Sequence, residues 1–521
     1  MPHPWQTGPS IVDVLRGWDG TTPCDLPDEA ADGDQIRFAA GAWDGILGHH
    51  CAGLDEQAEA RLIDRLLAAL RDLVQTDTDA ARAHLYDLLV GESLVRHIDL
   101  FIRELTTQEG IGPAAVRRHA RWLVRHAAHR NPLKFGIALL GLTGDESDLD
   151  VLRLLARHDE FTLFAAVAAA GHVADAVEEW WAMAQQVSGW GKIHLVERLC
   201  RHADDYPLVR AWLLRHGCAN EVMPEYLALA CAGSGDLVGA LADDPVDDEL
   251  LDGACVILTA LLTPHGPAGD IDNYPDATSA IDSLLRHLDD RCATLRRLDA
   301  VRRIDDWLTG GEAETWAARE EAGWTAATRA ELHARCQAIL TRAEWPPRLR
   351  AAFAGADDFE RYLAWNLARA VGVDLWPEAF AVLPQRPTDG WLYSCLLDGA
   401  DAERAGQVFA FAEGHLDLPA LASGPADVLG LGLGFEANLC VDALLQRMQQ
   451  GDVVSEAIVA AALRSPVVRN RHLAAGVLEA VPASRWGESV IAALRQTAAD
   501  EVNDGLKERW AALVTQLPTV E

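Results

Sequence analysis

Lysine is nearly absent from this 521-residue chain: Lys134, Lys192 and Lys507 are the only three among its 45 basic residues. The preference for arginine reads chiefly as the codon usage of a GC-rich genome, with arginine's bidentate fork a lesser factor. Basic charge is itself scarce, since 79 acidic residues leave a formal charge of −34. Such a field repels phosphate backbones and anionic headgroups, so nucleic acid is an unfavoured partner; a basic protein, a cation or a ligand in a local pocket suits better. Metal and disulfide signatures are missing too. The ten cysteines show no C-x-x-C spacing and no clustering, which argues against a zinc ribbon or a disulfide scaffold and makes Cys200, Cys231 and Cys255 small buried hydrophobes. No run of 18 uncharged apolar residues occurs, and the first residues hold no basic segment followed by an apolar one. Membrane insertion is therefore not expected, and a cytoplasmic location is.

What the chain does have is apolar content, 50% hydrophobic against 24% charged, enough to fold along most of its length. In segments such as "EARLIDRLLAALRDLVQ" and "VSEAIVAAALRS" the apolar residues recur at three and four positions, as on one face of a helix. Strand-like alternation is almost absent, so the expectation is an all-α protein of roughly two dozen helices. Between 132 and 245 a period emerges. Asp145, Asp175, Asp205 and Asp236 stand 30, 30 and 31 residues apart, each opening a helix-like run and each preceded by another apolar helix. An aspartate there accepts a backbone N–H of the first turn and meets the positive end of the helix dipole. A two-helix unit of this size cannot bury both apolar faces alone and must stack on neighbours, as a solenoid does.

The stretch "LLGLTGDESDLDVLRLLARHDEFTLFAAVAAAGHVAD" resembles the short HEAT-like repeats of phycobilin lyases. "SPVVRNRHLAAGVLEAVP", with Pro466, Val468 and Arg469 in order, resembles a more usual HEAT first helix, and "LKERWAALV" sets Lys507 and Arg509 against Arg469 and Arg471. The resemblance covers about half the chain. It implies an α-solenoid of stacked antiparallel helix pairs, a HEAT-like superhelix, and does not specify a function. The expected organisation is an N-terminal helical cap over 1–110, repeats over 111–262, a Pro/Gly/Asp-rich loop over 263–277 as the seam, and C-terminal helical repeats over 278–521. An acidic loop over 20–35 and loose segments over 373–391 and 413–427 interrupt the pattern.

Five constellations could carry chemistry. From Ile111 to Gly144 no acidic residue occurs, and Arg117, Arg118, Arg121, Arg125 and His129 fall within about 120° of one helix face. This basic stripe suits a phosphate, a nucleotide or an acidic peptide; the plainer alternative is that its arginines pair with acids of adjacent repeats. In "SGWGKIHLVERL", Lys192 and the i, i+3 pair His194 and Glu197 could serve as base and orienter, or form only a solvated ion-paired face. Trp43, Asp44, His49, His50 and Cys51 lie close in sequence, but adjacent histidines point about 100° apart, and a helix end at Gly48 explains most of the cluster. Asp270, Asp272, Tyr274 and Asp276 suggest calcium, yet lack the glycine and distal glutamate of an EF-hand, so an Asx-capped turn is favoured. Gly430, Gly432 and Gly434 lack the spacing and preceding strand of a dinucleotide loop. Of the neighbouring Trp180 and Trp181, one must leave the core, and Trp181 and Trp190 join Lys192, His194 and Glu197 as groove candidates.

The reading that follows is a non-enzymatic scaffold gripping a protein or peptide, basic or mixed in charge, on a concave face supplied by the second helix of each pair. No catalytic residue, metal or cofactor is assigned. The alternative is a groove-based enzyme or a receptor for a small anionic ligand, of the HEAT-like lyase or glycosylase kind. Convergence of the candidates on one deep pocket would favour a ligand, and spread along a shallow groove would favour a protein.

Overall fold

A computed structural model describes residues 3–20, 22–29, 38–50, 56–91, 94–243, 245–264 and 266–517, with the side chains of residues 4, 47–50 and 56 left aside. Among these residues it is all-helical, with 31 α-helices and one isolated parallel bridge, Val428 to Val467, in place of any strand. The helices outnumber the two dozen expected because several, such as Pro207–Trp212 and Leu237–Ala242, are too short for a 3.6-residue period to register. No described helix is long and apolar enough to cross a membrane.

The described residues up to Ile339 form one compact unit and those from Leu340 a second. In the first unit the chain runs α1 (Pro4–Thr7), α2 (Ile11–Gly17), α3 (Ala42–His50), α4 (Glu56–Thr76), α5 (Asp79–Val90), α6 (Ile98–Thr106), α7 (Pro113–His126), α8 (Arg130–Thr143), α9 (Leu149–Ala156) and α10 (Asp159–Ala170). It continues through α11 (Ala176–Ala184), α12 (Trp190–Cys200), α13 (Pro207–Trp212), α14 (Ala228–Gly235), α15 (Leu237–Ala242), α16 (Asp248–Leu261), α17 (Ala277–Arg291), α18 (Leu295–Thr309), α19 (Ala313–Arg319) and α20 (Ala326–Leu340).

Alternate helices pack in a row: α6 on α8, α8 on α10, α10 on α12, α12 on α14, α14 on α16 and α16 on α18. Composition explains why. The central helices of this row are apolar nearly all round, as in α10, where Phe161, Phe164, Ala165, Ala166, Ala168 and Ala169 are all buried. Their partners are one-faced: α9 buries Leu152, Leu155 and Ala156 and shows charge elsewhere. Successive first helices approach closely only because small residues meet. A Cβ on Gly141 would stand 3.0 Å from the Ala168 Cα, and one on Gly191 would stand 2.3 Å from the Thr162 hydroxyl.

The second helices are joined by polar stitches at each step. Arg117 of α7 pairs with Asp145 before α9 at 2.8 Å, and Arg153 of α9 with Glu179 of α11 at 2.7 Å. The Tyr206 hydroxyl, at the start of α13, donates to Asp175 of the α11 cap at 2.8 Å. Arg210 of α13 pairs with Asp236 of the α15 cap at 2.9 Å, and His287 of α17 lies 2.9 Å from the Leu241 carbonyl of α15. Three of the four periodic aspartates therefore do two jobs: Asp145, Asp175 and Asp236 each accept a first-turn N–H and also a bond from a neighbouring pair. Asp205 does neither as a cap. Tyr206 takes the position before α13, and Pro207 starts the helix without a donor to satisfy.

The 263–277 segment lies inside the first unit. Asp270 caps a short turn over Ile271–Asn273, Asp272 pairs with Arg319 at 2.6 Å, and Tyr274 is buried; this is the Asx-capped turn, with the Asp270 and Asp272 carboxylates spent on hydrogen bonds.

The second unit comprises α21 (Trp345–Ala354), α22 (Asp358–Val371), α23 (Trp376–Val382), α24 (Gly390–Leu397), α25 (Ala402–His415), α26 (Leu418–Leu421), α27 (Glu436–Met448), α28 (Glu456–Leu463), α29 (Val468–Ala480), α30 (Glu488–Asp500) and α31 (Asp504–Val514). Here α24 packs on α27, α27 on α29, α29 on α31 and α28 on α30. Gly430, Gly432 and Gly434 adopt positive φ in a loop that exposes Leu429, Leu431 and Leu433.

Candidate functional site

The basic stripe divides in two. Arg117 and Arg121 are structural: besides Asp145, Arg117 Nε donates to the Thr143 carbonyl, and Arg121 holds the buried Asp148 at 2.7 Å and Asp145 at 3.1 Å. The Ser147 hydroxyl and N–H, then Arg121 and Arg117, hold the Asp145 carboxyl below its ordinary range. Arg118 reaches only Asp77, at 3.5 Å and exposed, and Arg125 makes no ion pair among the described residues. These arginines, with Arg82, border a cleft of about 420 Å³ that holds five arginines and two histidines against one carboxylate, Asp77. The Arg82 guanidinium lies 4.8 Å over Trp122. His119, also in the wall, is almost fully buried, its Nε2 3.7 Å from Asp77 and without a hydrogen-bond partner; burial above all lowers its pKa. His129 is off the stripe. α7 ends at His126, and the Tyr86 hydroxyl accepts from the Ala128 and His129 N–H groups and lies 3.0 Å from His129 Nδ1.

Further clefts adjoin this one. Arg121 and Arg125 also wall a 270 Å³ hollow with Val151 and Leu154 of α9 and Arg16 of α2. Two residues beyond Arg16, Trp18 opens the largest cleft, about 800 Å³. Asp19, Asp25, Glu29, Asp159 and Glu221 line it, against Arg157 and His158 as its cationic or titratable bases, and Trp18 and Phe38 supply aromatic walls. Trp18 stands edge-on to His158 at 5.4 Å and 5.9 Å beneath the Arg157 guanidinium. Burial raises Asp159, partly offset by the Gly191 and Gly189 N–H groups it accepts from, at 2.7 and 3.1 Å. Arg157 and Gln186 are shared with a fourth hollow of about 220 Å³ between α9 and α11. The clefts thus follow α7, α9 and α11, with α9 contributing to two of them and Arg157, just beyond its end, to a third.

The Lys192 group does not converge on them. Lys192 is buried, its Nζ donating to the carbonyls of His216 at 2.9 Å and Ala219 at 2.6 Å, with the Trp212 ring 5.7 Å away. Trp190 is buried against Tyr226, and His194 is buried on the same helix, with Glu197 half-buried. Trp180 and Trp181 are both half-buried; Trp180 donates to the Ala166 carbonyl at 3.0 Å, whereas Trp181 Nε1 has no hydrogen-bond partner among the described residues. Trp43 is exposed beside Phe38. α3 continues through Gly48, and the side chains of His49 and His50 and the whole of Cys51 lie outside the described residues. Nine cysteines are described, all as free thiols, seven of them buried; Cys200 is half-buried.

Sequence reasoning missed a buried ionic cluster. Lys134 of α8, 2% exposed, donates to Asp44 and Glu160 at 2.6 Å each. Arg130 approaches Glu160 at 3.4 Å and binds Asp28 at 3.1 Å and Glu29 at 3.2 Å, and the Gly41 N–H donates to Glu160 at 2.9 Å. Burial raises Asp44 despite Lys134, whereas at Glu160 the cations Lys134 and Arg130 outweigh burial and hold the carboxyl low. The available signal was a lone lysine inside "PLKFGIALLGL": an ammonium on an all-apolar helix must be paired when buried.

Among the described residues, no group of three or more His, Cys, Asp or Glu is placed to hold a metal ion. No known protein family matches the chain, and no curated protein resembles it significantly.

Proposed function

We propose that the helix pairs stack as a HEAT-like solenoid and that the chain is a non-enzymatic scaffold for a protein or peptide partner of mixed charge. One observation carries this reading: the clefts lie along consecutive second helices, from Arg118 to Met183, two of them sharing Arg121 and Arg125 and two sharing Arg157 and Gln186, rather than closing into one deep pocket. A band of this kind suits an extended partner. The Trp18 cleft, with its excess of carboxylates, takes the partner's lysine or arginine side chains, and its aromatic walls add cation–π attraction. Arg118 and Arg125 take the partner's acidic residues and fix its direction, since electrostatic complementarity sets register more than affinity.

The test is recovery of a partner on the immobilised chain at about 50 mM salt and its release by about 0.5 M, where the Debye length is only a few ångströms. Asp25→Lys and Arg125→Glu, both at exposed positions, should each weaken that same partner, and the pair of changes should abolish its capture. A partner retained equally by both variants and at high salt sinks the reading. The excess of arginine around His119 favours a second one, a small-anion receptor; saturable binding of pyrophosphate by the parent but not by Arg125→Glu would select it.

A further inference from the structure

One cleft lies away from the second-helix band, walled by first helices. It measures about 460 Å³ and is lined by Ile98 and Ile102 of α6, Leu142 of α8, and Leu163, Phe164 and Val167 of α10. That volume is within the ~300–1,000 Å³ usual for small-molecule sites. Leu142 and Val167 are 41% and 56% exposed, so this apolar surface is not covered by the protein's own side chains. The floor is set by the Gly141 to Ala168 approach that brings α8 and α10 together.

A single cation enters the cleft, Arg198 of α12, and a single carboxylate, Asp99, which is exposed. Arg198 is half-buried and donates one Nη1 bond to the His194 carbonyl at 2.7 Å. It has no carboxylate within ion-pair distance among the described residues, although the protein is rich in carboxylates. The four buried arginines of the described residues each have one: Arg297 holds Asp252, Arg447 holds Asp452 and Arg471 holds Glu501, each at 2.7 Å, and Arg361 holds Asp358. Burial first, and then neighbouring Arg201, pull the Arg198 pKa below its ordinary value. A partly dehydrated guanidinium without a counter-ion, set in an apolar wall, is costly unless an anion completes it.

We propose that the α6–α8–α10 cleft binds a small amphipathic carboxylate, its aliphatic body against Ile98, Leu163 and Val167 and its carboxylate on the free side of the Arg198 fork. The planar fork matches a carboxylate in two bonds. The site is independent of the partner-binding band.

Calorimetric titration of the full chain with decanoate, decanol and decyltrimethylammonium tests it. Decanoate should bind at one per chain, decanol about tenfold more weakly, as loss of one charge-assisted bond implies, and the cation not measurably. Arg198→Gln should weaken decanoate by about tenfold and leave decanol unchanged. Val167→Asp, at an exposed position, should abolish binding of both without moving the melting temperature, so a poorly folding Arg198 variant would not leave the matter open. Absence of decanoate binding to the parent, equal binding by Arg198→Gln, or equal binding of the cationic amphiphile overturns the proposal.

Discussion

The most deeply buried described cation of each unit, Lys134 in the first and Arg471 in the second, is satisfied in a different way. In the first, Lys134 shares its charge between Asp44, 90 positions earlier, and Glu160, 26 positions later. In the second, Arg471, with no exposed surface, forks onto Glu501 at 2.9 and 2.7 Å and gives its remaining donors to the carbonyls of Ala426, Ser465 and Pro466. Trp510 completes the Glu501 carboxylate at 2.8 Å. Four carboxylates surround the two cations of the first cluster, whereas the second is balanced one to one. The compact ammonium crosslinks remote segments; the guanidinium clamps a loop beside its own helix.

The largest effect should come from breaking the balanced pair. Arg471→Met leaves a buried carboxylate without its cation, and should cost about 3–5 kcal/mol, read as faster hydrogen exchange across α29 and α31. Lys134→Met comes next, at about 3 kcal/mol, because Arg130 still faces Glu160; exchange should rise in α3, α8 and α10 together. If only α8 responds, Lys134 is not a crosslink.

Acid separates the two sites by sign. Burial would raise Glu501, but Arg471 and Trp510 hold it below its ordinary value. Its contribution is therefore complete above the unfolded carboxylate range near pH 4.3 and is lost as pH falls through the depressed folded value. Asp44 is raised by burial, so the folded state takes its proton first and acidification through that range adds stability. Glu501→Gln should flatten the acid limb of the second unit, and Asp44→Asn should steepen that of the first, both followed by exchange at successive pH values. The reverse slopes would show that neither carboxyl is held as described.

The smallest effect is expected where the pair is open to water. Arg153→Ala removes the α9–α11 stitch, whose arginine is 50% exposed, and should change the unfolding free energy measured in urea by only about 0.2–1 kcal/mol. A loss comparable to Lys134→Met would mean that the surface stitches, and not the buried cations, hold neighbouring pairs in place.

How much of this was legible follows from distance along the chain. The helical character and the 30-residue spacing of Asp145, Asp175 and Asp236 were readable, because a cap and a neighbour's stitch recur locally. Asp205 misled because Pro207 can begin a helix without a capping side chain. The pairing of Arg117 and Arg121 with acids of the next pair was one of two readings that composition allowed, and only geometry separated them from Arg118 and Arg125. His129 was extrapolated onto a helix that stops at His126, since a periodic pattern does not show where Tyr86 captures the turn. The Lys134 cluster left one mark, a lone lysine in an apolar helix, and the Arg198 cleft none: periodicity carries no information about partners such as Asp44, or about a cation's lack of one.

From α7 to α15 the stitches between second helices join residues 24 to 31 positions apart, among them Arg121 with Asp145 and Tyr206 with Asp175, while Arg130 reaches back 102 positions to Asp28. On a ribosome delivering about 5–20 residues per second, each new pair finds its predecessor almost as soon as it emerges. The stretch bearing Asp28 and Asp44 leaves the ribosome ahead of these pairs, yet it must wait on the order of ten seconds for Glu160 to appear. It thus docks later than its place in the chain implies, and a nascent-chain chaperone would have that long to hold it.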